Sequence, residues 1–286
     1  MKISISNILE LLLLASVWGA SFLFMRIAAP VLGPVWLIEL RVLLSGLTIF
    51  LLSIRLNIVQ EIYDNLVPLF ILGCINIATP FVFFAIAALY LPAGFTAILN
   101  GTAPLFGTVI AFLWLKEKLT WSGIAGLIIG FAGVTILVGW TNIPITTSFI
   151  LSTIAGLLGA LMYAISAPFA KNKLSGVSSM AIATGSQLSA ALVLLPLTPF
   201  FLPNSYVSLK VFGVVVALAL FSTALAYILY FRLIDNIGVS KTLTVSYLVP
   251  LFAIFWGAVI LKEPITVSML IGCSLILAGT VIAISK

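Results

Sequence analysis

The sequence predicts an all-α integral membrane protein of ten transmembrane helices, built as two inverted five-helix repeats. Three observations carry this. First, 63% of the 286 residues are hydrophobic and only 7% are charged, against about 25% charged in an ordinary soluble domain, and the mean hydropathy is +1.34. So few charges cannot coat a soluble fold of this size. Second, the apolar residues recur in stretches of roughly 20, the length a helix needs to cross about 30 Å of hydrocarbon at 1.5 Å per residue. Third, the chain repeats itself at an offset of 146 residues.

The spans follow in order from the Pro, Gly, Asn and charge clusters between them. The first, about 7–29, ends at Pro30; the second, 34–54, ends at Arg55; the third, 65–88, follows Asp64; the fourth, 92–115, stops at Lys116-Glu117-Lys118. The fifth covers 120–140, the sixth 147–169 ahead of Lys171, and the seventh 177–200. The eighth, 209–231, ends at Arg232, the ninth, 239–261, at Lys262-Glu263, and the tenth is 266–285. The joints are short, so no soluble domain is expected between spans. The first apolar run continues through Met25, too long for the h-region of a signal peptide, and is expected to remain as a span.

With ten spans and a cytoplasmic N-terminus, Lys2, Arg55, Lys116, Lys118, Lys171, Lys173, Arg232, Lys241 and Lys286 fall inside, and Lys210 and Lys262 outside. That imbalance sets the orientation, with both termini cytoplasmic. Trp36 and Trp140 near the outer ends, with Trp114 and Trp121 near the inner ends, fit an interfacial belt.

The composition also removes chemistry. There is no His, Asp and Glu together number seven, and Cys74 and Cys273 stand alone in apolar runs. No HExxH, P-loop or CxxC pattern is present, so neither an enzyme, a metal site nor a cofactor is expected. The net charge of +6 is spread along the chain, which suits membrane loops and not nucleic acid. The expected partners are a small-molecule substrate and the lipid bilayer; the oligomeric state stays open, and a monomer would suffice.

The repeat is the most informative feature. Pro104-Leu105-Phe106, Leu115-Lys116-Glu117 and Thr120 land on Pro250-Leu251-Phe252, Leu261-Lys262-Glu263 and Thr266, while Gly126 meets Gly272 and Ala132-Gly133 meets Ala278-Gly279. Five spans per copy is an odd number, so the second copy, 147–286, enters the membrane opposite to the first, 1–140. Together with Trp18-Gly19-Ala20-Ser21-Phe22 in the first span, this tandem pattern resembles the EamA family of the drug/metabolite transporter superfamily over nearly the whole chain. The resemblance implies ten helices in an inverted five-plus-five repeat. It also implies transport of amino acids and related metabolites, often outward, across the bacterial inner membrane, with the aromatic amino-acid exporters as the members most suggested.

Inverted-repeat carriers hold substrate near the bilayer midplane on bent or broken helices, so polar, Pro and Gly positions sharing a helical face are the candidates. Thr96, Asn100, Pro104, Gly107 and Ala111 form such a stripe in the fourth span, and the 146-residue shift carries it onto Thr242, Ser246, Pro250, Ala253 and Gly257 in the ninth. Close helix packing through small residues would explain the Gly and Ala members without any substrate. Asn100 and Ser246 have more hydrogen-bonding capacity to satisfy. The third span adds Asn76, Thr79, Pro80 and Phe83, and the eighth adds Ser222, Tyr227 and Tyr230. A buried tyrosine hydroxyl needs a partner, which makes Tyr163, Tyr227, Tyr230 and Tyr247 substrate candidates, though a lipid-facing or helix-bonded Tyr needs no substrate. Trp18 and Phe22, one turn apart, would stack on a substrate ring if they face the cavity. Pro80, Pro104 and Pro250 are candidate hinges because proline frees a carbonyl and bends a helix.

Charges inside spans are costly, about 2.5–3.5 kcal/mol for an arginine at mid-helix on insertion scales. Glu39 and Arg41 point in different directions on their helix, so Glu39 is expected to reach Arg26 across the first outer hairpin as a structural pair or outer gate. Arg41 aligns with Gln187 at the same shift and would meet a substrate carboxylate. Glu10 reads as an interfacial carboxylate, and Arg232 with Asp235 as a cytoplasmic anchor.

These features favour a secondary transporter exporting a small neutral or zwitterionic metabolite, an amino acid above all, by alternating access. A deep unpaired carboxylate would favour a drug or cation exporter, and purely aliphatic, small-residue interfaces without a polar stripe at mid-depth would fit a non-transport structural subunit; both alternatives stay open.

Overall fold

The computed structural model describes residues 4–114, 116–141, 143–203 and 205–284. Lys2 and Lys286 of the charge count, and Leu115 of the repeat, lie outside them. Among the described residues every regular element is helical. Nine helices are long and apolar enough to cross a membrane: α1 (Ile5–Leu32), α2 (Pro34–Arg55), α3 (Leu66–Tyr90), α4 (Ala93–Trp114), α5 (Trp121–Gly139), α6 (Thr147–Lys173), α7 (Ser179–Phe200), α8 (Leu209–Ile237) and, after a gap, α10 (Val267–Ile284). Between the last two lies a shorter apolar helix, α9 (Val245–Leu261).

Local chemistry sets the starts. Ser4, Thr120, Thr146, Ser178, Ser208 and Thr266 each accept a backbone N–H three residues on, opening α1, α5, α6, α7, α8 and α10. Gly33, at φ 76°, turns the chain between α1 and α2, and Pro34 then stands in the first turn of α2.

Five spans are irregular, α7 in that its last six residues, Leu195–Phe200, form a tighter 3-10 stretch. A π-helical segment, Gly73–Ala78, interrupts α3, and another, Leu220–Leu225, interrupts α8. Span α4 is two half-helices, Ala93–Asn100 and Ala103–Trp114. The ninth span is shorter than its apolar run: a single turn, Val239–Thr242, precedes α9. There Thr242 and Thr244 hydroxyls donate to the carbonyls of Gly238 and Lys241, and at the break in α4 Thr102 donates to Leu99. Such local bonds compete with the helical ladder.

Packing joins α5 with α10, α2 with α7, α1 with α8 and α9, and α6 with α3 and α4. The α5–α10 seam brings backbones close enough that a methyl on Gly279 would stand 2.5 Å from the Gly130 amide nitrogen. The core between α1, α2, α3 and α9 includes Phe22, Met25, Ile38, Phe84 and Ala253. Large apolar side chains such as Leu51, Ile128 and Phe212 stay on the exterior, the face that lipid would cover. Trp114, Trp121 and Trp140 are exposed as a belt would require, but Trp36 is not free: its Nε1 donates to the Thr198 carbonyl at 2.9 Å.

Candidate functional site

The helical irregularities surround a central cavity of about 380 Å³, within the range of small-molecule sites. From α1, Trp18, Ser21, Phe22 and Met25 line it; these positions recur at helical spacing and share one face. From α3 come Asn76, Phe81 and Phe84, from α4 Asn100 and Pro104, from α6 Tyr163, from α8 Ser222, Thr223, Tyr227 and Tyr230, and from the start of α9 Ser246 and Tyr247. A second hollow shares Ala103, Pro104 and Tyr163 with the first and continues past Gly107 and Ala111 to Lys171. At the other end no α1 residue beyond Met25 lines the cavity.

The π segments direct polar groups inward. In α3, Asn76 Oδ1 accepts from Ser166 at 2.7 Å, and Ser166 also donates to the Tyr163 carbonyl at 2.8 Å. In α8, Ser222 donates to the Val17 carbonyl at 2.8 Å and Thr223 to the Leu218 carbonyl at 3.0 Å. Thr223 Oγ1 in turn accepts from Arg41 Nε at 3.0 Å. The Arg41 guanidinium lies 3.8 Å from the centroid of the Phe81 ring, with Nη1 3.9 Å from Met25 Sδ. Aromatic rings meet in two groups along the wall: Trp18 meets Tyr230 at 5.5 Å and Tyr163 meets Phe84 at 5.8 Å between centroids.

The cavity thus gathers Trp18, Phe22, Asn76, Asn100, Tyr163, Tyr227, Tyr230, Ser246, Tyr247, Arg41 and Pro104 from the sequence candidates. It leaves out Thr79, Phe83, Pro80 and Pro250. Phe81 and Phe84 take the place of Phe83, because the π segment adds a residue to its turn and rotates the face that follows. Ser21, Met25 and Thr223 are further additions; the spacing from Trp18 was a usable signal for the first two. Thr96, Thr242, Ala253 and Gly257 fit the packing reading: the two hydroxyls donate to the carbonyls of Pro92 and Gly238, and the two small residues lie against Gly19 and Glu263.

Three charge assignments change. Arg26 pairs with Glu263, Nε to Oε1 at 3.6 Å, and not with Glu39. The reason is helix-end chemistry: Arg26 Nη1 takes the carbonyls of Ala88 and Leu89 at 2.9 and 2.6 Å in the last turn of α3, and Glu263 accepts the Ala93 amide at 2.9 Å where α4 begins. Burial pushes the Glu263 carboxyl above the usual carboxylate range, against the Ala93 amide and Arg26, which pull it back. Glu39 is buried, and neither of its oxygens has a hydrogen-bond partner among the described residues. At the opposite end Arg232 reaches Glu10 at 3.2 Å, across to α1, and not its neighbour Asp235. Pro104 and Pro250 are also unlike in setting: Pro104 stands in the first turn of its half-helix, where no intrahelical bond is lost, and Pro250 lies inside α9.

Comparison with known proteins bears on the whole chain. The model of the EamA-like transporter family matches residues 6–139 and again 150–285. A protein of Archaeoglobus fulgidus, named an uncharacterized transporter, is 25% identical over 96% of this chain and 98% of its own. A protein of Streptantibioticus cattleyicolor, named a probable terminal-alkyne amino-acid exporter, is 22% identical over 99% of this chain and 94% of its own. One solved crystal structure shares the fold at a TM-score of 0.69 and 18% identity, covering 98% of this chain and 97% of that one.

Proposed function

We propose that this chain, which belongs to the EamA-like transporter family, is a secondary transporter that exports a small neutral or zwitterionic metabolite, an amino acid above all, from a bacterial cytoplasm. The chain is a multi-pass membrane protein, and its relatives are named as transporters. The observation that carries the finer reading is the cavity itself: aromatic and uncharged polar groups from five spans and the start of α9 converge on it, with Arg41 as the charged side chain and no Asp or Glu among the lining residues. A carboxylate in that lining would favour a cation exporter, and the buried, unpartnered Glu39 lies outside it; a structural subunit needs no such chamber. The amino-acid exporter among the relatives supports the substrate class.

Alternating access between two inverted five-helix copies, 1–140 and 147–286, is part of the same reading. Its supports are the two family matches, the π segments that begin 147 residues apart at Gly73 and Leu220, and the pairing of equivalent helices, α5 with α10 and α2 with α7. In this scheme the hollow running to Lys171 is the cytoplasmic mouth, the Arg26–Glu263 pair shuts the outer one, and Pro250 is a hinge in α9. Both termini are cytoplasmic. No nucleotide-binding motif is present in the sequence, and flow follows a gradient.

The test is counterflow in proteoliposomes loaded with a radiolabelled amino acid and challenged with each of the common twenty. Competition by one or a few is expected. If none competes while an organic cation does, the amino-acid reading gives way to the cation exporter.

A further inference from the structure

We propose that the terminal fork of the Arg41 guanidinium is a carboxylate site, so that the molecules carried are small carboxylates with an apolar or aromatic body, zwitterionic amino acids among them. The inference deepens the transport reading above and rests on it.

Arg41 is 4% exposed and lies on α2 at the wall of the central cavity. Its other faces are occupied: Nε donates to Thr223, and the flat face covers Phe81. Among the described residues Nη1 has only the Met25 sulfur, at 3.9 Å, and Nη2 has no hydrogen bond. The two ion pairs among those residues belong to Arg26 and Arg232, so no carboxylate comes within 4.0 Å of Arg41. A buried cation without a counter-charge is expensive, and a guanidinium held by one edge and one face presents two parallel donors suited to a planar carboxylate. Thr223 and Phe81 hold that fork in one orientation, so little further ordering is needed on binding.

The rest of the lining tells which carboxylates fit. Asn100 Oδ1 is buried and has no partner among the described residues, an acceptor free for an ammonium group. Trp18, Phe22, Phe84 and Tyr163 bound the same chamber and suit an apolar or aromatic side chain. A ligand joined to Arg41 by its carboxylate satisfies a charge that the protein leaves uncompensated. An amine without a carboxylate leaves it uncompensated and adds a second positive charge.

The test uses the full-length protein in lipid nanodiscs, titrated with the twenty amino acids, with their α-carboxamides and with the corresponding deaminated carboxylates. Some free acid and its deaminated counterpart should bind, and the matching amide should bind at least about tenfold more weakly, as the loss of a charged hydrogen bond requires. Arg41→Gln should abolish the preference for acid over amide. Thr223→Val, which keeps the charge but releases Nε, should reduce it. If the parent protein binds amide as tightly as acid, or binds no carboxylate of the panel, the site assignment is wrong; this comparison needs no variant to fold. Transport of amides or other uncharged molecules with no binding of acids would sink the carboxylate site and leave the transport reading intact. Absence of counterflow with every class would sink the transport reading itself.

Discussion

Arg26 of α1 and Glu263, in the link between α9 and α10, meet at 3.6 Å and tie together the end of α3, the start of α4 and the loop after α9. Each partner sits where a helix end wants its sign: the cation on the last carbonyls of α3, the carboxylate on the first amide of α4. Two side chains therefore join four segments, and in the transport scheme proposed above they shut the outer end of the cavity. Breaking this knot should open that end. In a background with Cys74 and Cys273 replaced by Ala, labelling of Ser21→Cys by an impermeant reagent added on that side should rise several-fold when Glu263→Gln is introduced. Equal labelling would remove the gate.

The pH dependence of the same pair follows from the direction of the Glu263 shift, which burial raises. A carboxyl with a raised native value binds its proton more readily folded than unfolded. Its contribution to folding therefore favours the native chain in acid and is lost as pH rises from the ordinary carboxylate range through the raised value. The attraction to Arg26 exists only in the ionised form. Acidification should accordingly weaken the knot at a higher pH than a solvent-exposed Glu would allow, so Ser21→Cys labelling should begin to climb before the pH reaches the ordinary carboxylate range. In Glu263→Gln it should be flat; a matching rise in that variant would place the titrating group elsewhere.

Asn100 and Ser246 stand at the same place in the two halves of the sequence, and both line the cavity. Asn100→Leu and Ser246→Val, made separately, should leave insertion intact. Loss of substrate affinity is expected to be larger for Asn100, about 10- to 100-fold, because its unpaired oxygen is buried. Ser246 is exposed to the chamber and has less to lose. Unchanged affinity in both variants, measured in proteoliposomes, would make them packing positions.

Orientation can be read with one cysteine. Asn172 lies between Lys171 and Lys173 at the end of α6, where the second hollow opens. Asn172→Cys should be shielded from impermeant reagents outside intact cells and accessible in inside-out vesicles. Strong labelling of intact cells would reverse the topology.

The α5–α10 seam should tolerate no side chain at its closest point. Gly279→Ala places a methyl 2.5 Å from the Gly130 nitrogen and 2.6 Å from the Gly126 carbonyl oxygen, so backbone must move. Overpacking of this kind costs about 1–3 kcal/mol. The melting temperature in detergent should fall, whereas Gly213→Ala, with nothing within 4 Å of the new methyl, should leave it unchanged.

Membrane character and most helix limits were legible in the chain because they depend on neighbours in sequence: apolar run length, capping Ser and Thr, and the breaks between runs. The ninth run is the exception, since a single turn and the shorter helix Val245–Leu261 stand where one span over 239–261 was expected, leaving nine helices long enough to span among the described residues. Residues spaced at 3 and 4 on one helix are legible for the same reason, which is why Trp18 and Phe22 could be placed on one face of α1. Only tertiary structure decided the rest. Whether Arg26 would take Glu39 or Glu263 depended on helix ends brought together from distant parts of the chain. Whether Phe83 or Phe81 and Phe84 would face inward depended on a π turn, one extra residue whose signature is a shifted backbone bond and not a residue type. Arg41 carried its charge openly in the sequence, but that charge became informative only once the fold had surrounded it with Thr223, Phe81 and Met25 and with no carboxylate among the described residues within 4.0 Å. Composition fixes what must be buried from water, since that free energy is local and additive, whereas pairing across the bundle is a competition among partners that only the assembled helices bring within reach.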